Sequence, residues 1–349
     1  MNERILSIIE KLEKERSLSV DEYEYLVENR CEEAAEMLRI KAETVRKKIY
    51  GNDVYIRGLI EIGNYCKNNC FYCGIRAGNK ACERYRLTEE DILSCCEQGY
   101  KLGFRTFVMQ GGEDDYFNDE RLCRIIREIK RLYPDCAVTL SLGEKSRESY
   151  QQLFDAGADR YLLRHETADK AHYEKLHPQE LSFENRMRCL KDLKEIGFQV
   201  GCGFMVGSPY QTERHIAKDL KFIETFKPDM CGIGPFVPHR ATPFAEYKQG
   251  TVELTCYLLS IIRLIHPHIL LPSTTALGTI HPEGREKGIL SGANVVMPNL
   301  SPETVRSKYE LYNNKISTGA ESAQQKSGLA GRMEKIGYRI VTARGDVKK

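Results

Sequence analysis

Apolar residues change their spacing along this chain near its fiftieth residue. Before that point they recur every three or four positions, as in Ile5, Ile8, Ile9 and Leu12, which is the spacing of one face of a helix. From Val54 onward, short β-rich runs alternate with longer amphipathic stretches. This alternation predicts strands separated by helices, and therefore a parallel sheet.

Eight runs are predicted to be strands, and seven stretches among them have helical spacing. The strands are 54–62, 106–110, 137–142, 160–163, 199–206, 230–234, 270–274 and 294–297; the helices are 89–102, 121–132, 148–156, 183–196, 212–226, 254–265 and 282–290. Eight such units in roughly 250 residues indicate an α/β protein with a complete (β/α)8 barrel. We expect a helical N-terminal extension over 1–50, the barrel over 51–314 and a C-terminal cap over 315–349.

Composition narrows the setting. The 349 residues carry a net charge of +2, which gives no strong field toward nucleic acid or a membrane surface. Residues 1–19 lack the apolar segment of a signal peptide, and no run of about 18 apolar residues predicts a membrane span. We therefore expect the 13 cysteines to be reduced in the cytoplasm, with neither nucleic acid nor membrane as partner.

Three cysteines follow the first predicted strand: Cys66, Cys70 and Cys73, spaced C-x3-C-x2-C, with Tyr72 before the last. Three thiolates hold three irons of a four-iron cluster and leave the fourth open to a small molecule. The motif resembles the signature of the radical S-adenosylmethionine (SAM) superfamily. Members of that superfamily bind SAM at the open iron, and one electron then releases a 5′-deoxyadenosyl radical.

A zinc site is the main alternative for these cysteines, with Cys82 as a fourth ligand. Structural zinc usually takes paired C-x2-C hooks, which are missing here. Three buried structural cysteines are also disfavoured, because the loop is rich in Asn and Lys. The position directly after a strand is where a barrel enzyme carries its cofactor.

Polar residues at later strand ends are expected to meet at the same barrel mouth. They include Gly111, Gly112 and Glu113 after the second strand, Arg164, His165 and Glu166 after the fourth, and Thr274 and Thr275 after the seventh. His165 is the histidine that this arrangement would bring near a substrate. Arg186 is expected to pair with Glu166.

Longer runs resemble the FeFe-hydrogenase maturase family HydE, over about residues 50 to 315. The runs are 57–61, 141–144, 159–167, 232–236, 274–280, 292–299 and 309–312. Biotin synthase and the methylornithine synthase PylB are similar in the first half.

The resemblance to HydE implies a complete barrel that helps to assemble the diiron subcluster of FeFe-hydrogenase. It also implies a substrate: the iron–dicarbonyl–cyanide–cysteine complex made by the tyrosine lyase HydG. The radical would attack its cysteine sulfur, and the product would pass to the scaffold HydF. We expect a ferredoxin or flavodoxin as reductant.

The same resemblance implies roles for individual residues. The cluster ligands would be Cys66, Cys70 and Cys73, and the SAM contacts Tyr72, Gly111, Gly112, Glu113, Glu166 and Arg186. The substrate contacts would be Arg57, Arg164, Thr274 and Thr275, with Tyr309 and Tyr312 as catalytic residues that line the cavity. Some HydE proteins carry a second cluster on C-terminal cysteines, but no cysteine follows Cys256 here, so we expect one four-iron cluster.

Two other functions stay open. One is a radical SAM mutase or sulfur-inserting enzyme on a small organic substrate, of the methylornithine or biotin synthase type. Biotin synthase carries a sacrificial second cluster inside its barrel, and Cys136, Cys202 and Cys231 on predicted strands leave that possibility open. The other is a metal-carrying scaffold without catalysis, which the polar strand ends disfavour.

Overall fold

Parallel strands close into a barrel in the computed structural model, which describes residues 1–316 and 322–348. The strands are β1 (Asp53–Ile56), β2 (Gly58–Gly63), β3 (Thr106–Gly111), β4 (Ala137–Ser141), β5 (Arg160–Leu162), β6 (Gln199–Cys202), β7 (Met205–Val206), β8 (Met230–Cys231), β9 (Gly234–Pro235), β10 (Val295–Val296) and β11 (Arg339–Val341). The order β2-β3-β4-β5-β6-β8 forms most of the wall, and β1 pairs with β10.

The helices form an outer layer around this wall. They are α1 (Glu3–Glu15), α2 (Val20–Glu28), α3 (Glu32–Tyr50), α4 (Glu89–Lys101), α5 (Asp119–Leu132), α6 (Arg147–Asp155), α7 (Lys170–Leu176), α8 (Phe183–Ile196), α9 (Glu213–Phe226), α10 (Val252–Ile265), α11 (Thr275–Ile280), α12 (Gly284–Leu290), α13 (Glu303–Arg306) and α14 (Lys326–Lys335). None of these helices is both long and apolar enough to span a bilayer.

Side-chain caps explain why the helix starts could be predicted closely. A Ser, Thr or Asn accepts a hydrogen bond from a first-turn amide, which satisfies a donor without an intrahelical partner. The capping residues of the long barrel helices are Thr88, Asn118, Ser146, Ser182, Thr212 and Thr251. The predicted eight-stranded barrel is confirmed: regular strands fall in seven of the eight predicted runs, and the seventh run contributes isolated bridges.

Four predicted strands are interrupted, and the sixth is one of them, since residues 232–233 separate β8 from β9. The first is split at Arg57, between β1 and β2. The fifth is split at Gly203, where φ is +151° and a Cβ would lie 2.1 Å from the carbonyl oxygen of Gly232. The seventh contributes single bridges through Leu270 and Pro272, because proline has no N–H for the ladder.

The N-terminal helices pack on the barrel helices. The predicted apolar face of α1 is buried, α2 packs against α9, and α3 packs against α10. Tyr23 donates a hydrogen bond to Glu224 on α9 over 2.8 Å, and Tyr257 on α10 donates to the carbonyl of Leu26 over 2.8 Å. The first 50 residues therefore share the core of the barrel layer.

The end of the chain lies under the N-terminal end of the barrel. Strand β11 pairs with β1, and the carbonyl of Arg344 accepts hydrogen bonds from Thr106 at 2.8 Å and from Arg160 at 3.0 Å. The side chain of Asp346 pairs with the buried guanidinium of Arg160. Of the predicted cap over 315–349, residues 317–321 and 349 lie outside the described residues.

Candidate active site

The three motif cysteines lie on one loop directly after β2, and each is partly buried. Backbone hydrogen bonds fix the loop to three different parts of the barrel mouth. The amide of Lys67 donates to the carbonyl of Glu113 at 2.9 Å, that of Phe71 to Leu176 at 3.0 Å, and that of Gly74 to Leu311 at 2.8 Å. The loop is therefore held by three segments: the residues after β3, the end of α7, and the segment around Leu311.

Two glycines make these contacts possible. A Cβ on Gly112 would lie 2.2 Å from the carbonyl oxygen of Tyr65 and 2.6 Å from the Cβ of Cys66. A Cβ on Gly74 would lie 2.1 Å from the carbonyl oxygen of Glu310. The sequence predicted that the glycine pair after β3 brings backbone close to a ligand. In the structure, Gly112 brings it close to the cysteine loop itself.

The three thiols share one environment. Burial raises the pKa of Cys70 to about 12, with the neighbouring Cys66 adding to the shift and the positive charge of Arg186 opposing it. Burial also raises the pKa of Cys73, and Cys70 and Cys66 raise it further. Without a metal these thiols therefore stay protonated at neutral pH. Iron, which binds the thiolate, would displace their protons.

Within residues 1–316 and 322–348, no three Cys, His, Asp or Glu side chains surround a point where one metal ion could bind. A mononuclear zinc site requires such convergence, whereas the three thiolates of a four-iron cluster each bind a different iron. Cys82, the fourth ligand of the zinc alternative, has its Sγ 3.5 Å from Asn64 Nδ2, which donates to it.

Tyr72 is part of the cysteine loop and faces the C-terminal end of α7. Its hydroxyl is 3.0 Å from His177 Nε2, and His177 Nδ1 is 3.0 Å from the carbonyl oxygen of Tyr173. The carbonyl can only accept, so Nδ1 carries the proton and Nε2 accepts from the tyrosine. Sequence analysis did not single out His177, which follows no predicted strand.

Arg186 is buried, but its partner differs from the expected one. Its Nε lies 2.6 Å from Glu144 Oε1, and its Nη1 donates to the carbonyl of Arg164 at 2.6 Å. The predicted pair with Glu166 is therefore wrong, because Glu144 at the end of the third strand reaches the guanidinium first. The amide of Glu144 in turn donates to Glu113 at 2.8 Å. These contacts link the ends of three strands.

Arg164 and Glu166 form an ion pair at the barrel mouth, and several of their polar atoms make no hydrogen bond with the described residues. Arg164 Nη2 lies 3.1 Å from Glu166 Oε2, but neither buried atom forms a hydrogen bond with the described residues. Arg164 Nε is also buried without a partner there. Glu166 has φ +63°, the left-handed region that favours glycine. Buried polar groups without partners are rare, so this pair has capacity for a ligand.

The two threonines differ in their surroundings. Thr275 accepts a hydrogen bond from Arg285 at 3.1 Å. Thr274 has a buried hydroxyl with no partner among the described residues. A Cβ on Gly234 would lie 2.7 Å from that hydroxyl, which places Thr274 against β9. Thr274 is therefore the one of the two whose hydroxyl can take up a ligand.

Of the two tyrosines near residue 310, Tyr309 is fully buried and Tyr312 is half-buried. Burial raises the pKa of Tyr312 to about 12, while Arg285 and Arg164 oppose the rise. Tyr312 therefore lies within the electrostatic reach of Arg164. The hydroxyl of Tyr309 accepts a hydrogen bond from Gln110 at 3.4 Å, at the end of β3.

A buried charge pair beside Tyr309 was missed by sequence analysis. Glu61 on β2 is fully buried, pairs with Lys315 and accepts a hydrogen bond from Asn299 at 2.9 Å. Lys315 also lies 4.9 Å above the ring of Tyr309. A lone carboxylate in the otherwise apolar run 59–62 was the available signal, because a strand buried on both faces rarely holds one.

Two residues that were predicted to contact the substrate lie away from the barrel mouth. Arg57 is buried near the base of the barrel, with Nη1 2.9 Å from Met230 Sδ and Nη2 3.5 Å from the carbonyl of Gly345. His165 points into the helix layer, where its ring centroid is 4.7 Å from that of Phe222. The expectation that His165 faces the substrate is therefore wrong, since successive residues after β5 point in opposite directions.

The remaining arrangement fits a four-iron cluster with SAM. Three thiols lie on one loop at the mouth, and the positive charge of buried Arg186 acts on Cys70. Arg164, Glu166 and Thr274 have buried polar atoms that form no hydrogen bond with the described residues. Charged and polar groups of this kind match the carboxylate, amino and hydroxyl groups of SAM.

Comparison with known proteins agrees with this geometry. The Radical SAM superfamily model matches residues 60–223. The chain is 47% identical over 275 residues to the [FeFe] hydrogenase maturase subunit HydE of Thermotoga maritima, covering 79% of this chain and 78% of that protein. It is 30% identical over 289 residues to 3-methylornithine synthase of Methanosarcina acetivorans, covering 82% of this chain and 81% of that protein.

The solved structure of methylornithine synthase (PylB) superposes with a TM-score of 0.83 at 25% identity, over 96% of this chain and 97% of that one. The hydrogenase maturase HydG shares the fold, with a TM-score of 0.81 at 20% identity, over 97% and 76%. The chain is therefore a radical SAM enzyme and belongs to the HydE family of [FeFe]-hydrogenase maturases.

Proposed function

We propose that this enzyme acts in assembly of the diiron subcluster of FeFe-hydrogenase, on an iron–carbonyl–cyanide–cysteine precursor. The observation that carries the proposal is a set of buried polar atoms at the barrel mouth, Arg164 Nε and Thr274 Oγ1, which have no hydrogen-bond partner among the described residues. A cationic guanidinium and a hydroxyl donor suit a small anionic complex. The 47% identity to a HydE protein supports the same substrate class.

In this proposal, Cys66, Cys70 and Cys73 would hold one four-iron cluster, and that cluster would supply the electron for reductive cleavage of SAM to methionine and a 5′-deoxyadenosyl radical. Glu113 and Glu166 receive the SAM amino group, while Arg186 favours its carboxylate. Tyr72 closes one side of this site, and Gly111 and Gly112 shape the strand end beside it. A ferredoxin or flavodoxin delivers the electron.

The substrate lies deeper in the barrel, held by Arg164 and Thr274 and lined by Tyr309 and Tyr312, while Thr275, which accepts from Arg285, lies beside the site. Arg57 lies at the base, so its influence on the substrate is through charge rather than through the contacts at the mouth. A closed barrel excludes water and stray hydrogen donors, which a radical step requires. HydG would supply the complex, and HydF would receive the product.

The sulfur-inserting alternative receives little support from the three strand cysteines. Cys202 and Cys231 are register partners in β6 and β8. Burial and the neighbouring Cys231 raise the pKa of the Cys202 thiol most, and the carboxylate of Asp219 on α9 raises it further. These thiols therefore face the helix layer. Cys136 precedes β4, at the end of the barrel away from the cysteine loop. A sacrificial cluster inside the barrel would need thiols on the inner face.

A mutase on a small organic substrate is the second candidate. The specific observation in its favour is the superposition with methylornithine synthase at a TM-score of 0.83. An amino acid needs a cation for its carboxylate and a carboxylate for its ammonium group, whereas the anionic iron complex needs cations and hydroxyl donors. Arg164 next to Glu166 offers both signs, so the reaction that the enzyme catalyses is what separates the two candidates.

Hydrogenase activation separates the two candidates. Reconstituted enzyme, SAM and a reductant are combined anaerobically with HydG, HydF and apo-hydrogenase, and hydrogen evolution is measured with and without this enzyme. We expect activation that depends on it. In parallel, free amino acids replace the maturases, and mass spectrometry detects rearranged products. A rearranged amino acid without hydrogenase activation would establish the mutase function instead.

A further inference from the structure

His165 lies between the loop after β5 and helix α9, with no exposed surface. Its neighbours in sequence, Arg164 and Glu166, face the barrel mouth, while its own ring packs between Phe222 at 4.7 Å and Phe204 at 5.9 Å. Its side chain thus points away from the chemistry, which raises the question of what a buried imidazole does there.

Two hydrogen bonds fix the protonation of this ring. The backbone amide of Gly203 donates to His165 Nδ1 at 3.2 Å, so Nδ1 carries no proton. The proton is therefore on Nε2, which lies 3.2 Å from Asp219 Oδ1 and donates to it. Burial lowers the pKa of His165 to about 3, in agreement with a neutral ring.

Asp219 holds the same loop at a second point. Its Oδ1 also accepts from the amide of Ala168 at 2.5 Å, so one oxygen ties both the side chain of residue 165 and the backbone of residue 168 to α9. Its Oδ2 is buried without a partner among the described residues. One carboxylate oxygen thus makes both contacts.

Glu166 lies inside this tied segment in the left-handed conformation, at φ +63°. Residues with a Cβ adopt that conformation at a cost, so the surrounding contacts must hold it. The amide of Glu166 donates to the carbonyl of Gly203 at 3.0 Å, the same residue whose amide holds His165. The segment is thereby fixed on both sides of Glu166.

We propose that His165 and Asp219 are positioning residues that hold Arg164 and Glu166 facing the barrel mouth, with their polar atoms available for substrate and SAM. The inference rests on the proposed roles of Arg164 and Glu166. Neither His165 nor Asp219 touches a ligand in this proposal. They act through the backbone of residues 164–168.

Substitutions at Asp219 separate positioning from simple charge. Asp219→Asn keeps Oδ1 as acceptor for both His165 and Ala168, and its amide nitrogen takes the place of the oxygen that has no partner. Asp219→Ala removes both hydrogen bonds. We expect Asp219→Ala to weaken SAM binding by about tenfold or more, the effect of losing one or two good hydrogen bonds. Asp219→Asn should restore affinity to within about twofold of wild type.

A matched control lies on the same helix. Glu224 on α9 accepts hydrogen bonds from Tyr23 and Ser17, both at 2.8 Å, and its other donors are Leu18 and Lys221, so that among the described residues it is bonded to the N-terminal segment and its own helix. Glu224→Ala should lower the melting temperature without changing SAM affinity. All variants are compared at full cluster loading, with SAM affinity from the change in the spectrum of the reduced cluster and with thermal unfolding measured on the same samples.

Unchanged SAM affinity in Asp219→Ala, or an equal loss in Glu224→Ala, would overturn the positioning role. Should Asp219→Ala fail to fold, His165→Asn serves the same purpose, because its Oδ1 can replace Nδ1 while the donor to Asp219 is lost. Glu166→Ala is measured alongside. If it weakens SAM binding and Asp219→Ala does not, the positioning inference alone fails; if Glu166→Ala has no effect, the proposed role of Glu166 fails and the inference with it.

Discussion

Arg186 and Glu144 form an ion pair in which Nε lies 2.6 Å from Oε1 and each side chain is only 8% exposed. Arg186 also donates to the backbone of Arg164, so the pair joins α8 to the strand ends at the mouth. A buried pair of this kind depends on both partners, because either charge alone would remain desolvated.

Stability should therefore fall more for a single substitution than for the pair. Arg186→Met leaves Glu144 buried without its cation and should cost about 3–5 kcal/mol of unfolding free energy. Adding Glu144→Gln to that variant should recover part of the loss. Urea unfolding of the two single variants and the double variant under anaerobic conditions measures the coupling. Strictly additive losses would show that the two side chains act independently.

The cysteine loop is expected to carry all of the iron. Replacing Cys66, Cys70 and Cys73 together with Ala should abolish the brown chromophore, while the wild type should hold about four irons per chain after reconstitution. Cys202→Ala is the matched control, because that thiol faces α9, and it should retain the full iron content. A cluster that survives in the triple variant would contradict the assignment, and about eight irons in wild type would reveal a second ligand set.

Gly112→Ala tests the close approach between the loop after β3 and the cysteine loop. The added Cβ would lie 2.2 Å from the carbonyl oxygen of Tyr65, so the cysteine loop must move. We expect lower iron occupancy and weaker SAM binding with modest loss of global stability. Gly331→Ala on α14, where nothing lies within 4 Å, should leave both unchanged or slightly raise stability. Full cluster occupancy and normal SAM binding in Gly112→Ala would show that the loop adapts without cost.

Three buried histidines predict how stability depends on pH. Burial lowers the pKa of His165 and His177 to about 3 and that of His172 to about 4, whereas an unfolded histidine titrates near 6.5. The folded state therefore binds fewer protons below pH 6.5, so stability is fully present above that pH and declines as the pH falls. Between pH 6.5 and 5.5 the three should together cost about 3 kcal/mol.

Urea unfolding at pH 7.5, 6.5 and 5.5 checks this slope. His172→Gln, which can still donate to the carbonyl of Pro209 as His172 Nε2 does at 2.9 Å, should reduce the slope by about a third. An unchanged slope in that variant would show that other groups control the acid sensitivity.

The barrel was predictable because its signals are local. Strand runs, capping residues and the cysteine spacing each depend on neighbours in sequence, and Thr88 or Ser182 begins a helix whatever lies across the fold. The partner of Arg186 was not predictable, since Glu144 and Glu166 both follow strands and only the packing decides which carboxylate the guanidinium reaches. The direction of His165 was missed for a related reason: a position in sequence after a strand does not specify which side of the wall a side chain faces.

The strand breaks also needed the structure. Gly203 and Gly232 lie on neighbouring strands that approach so closely that a Cβ on Gly203 would meet the facing carbonyl oxygen at 2.1 Å. A glycine in a strand run suggests a close approach or a bulge, but it does not identify the neighbour. Glu61 with Lys315 is a contact over 254 positions, beyond the reach of any periodic pattern.

Arg164→Ala separates radical generation from action on the substrate. Its buried Nε has no hydrogen-bond partner among the described residues, and its Nη2 contacts only the carboxylate of Glu166 there, at 3.1 Å; the side chain lies on the substrate side of the proposed site. The variant should still cleave SAM slowly in the absence of substrate, within about threefold of wild type, because the cluster ligands and Arg186 are intact. Hydrogenase activation should fall by at least about tenfold, the usual effect of losing one charge-assisted contact.

Both quantities are measured on the same folded sample: release of 5′-deoxyadenosine, and hydrogen evolution in the reaction with HydG, HydF and apo-hydrogenase. Arg188→Ala is the control, because this neighbour of the site on α8 is 43% exposed and pairs with Asp192, away from the mouth. It should retain both activities. If Arg164→Ala loses thermal stability and both activities together, its guanidinium stabilises the rim rather than binding substrate. If it retains full activation, the anionic iron complex is not held by Arg164, and the organic-substrate function becomes the better account of this pocket.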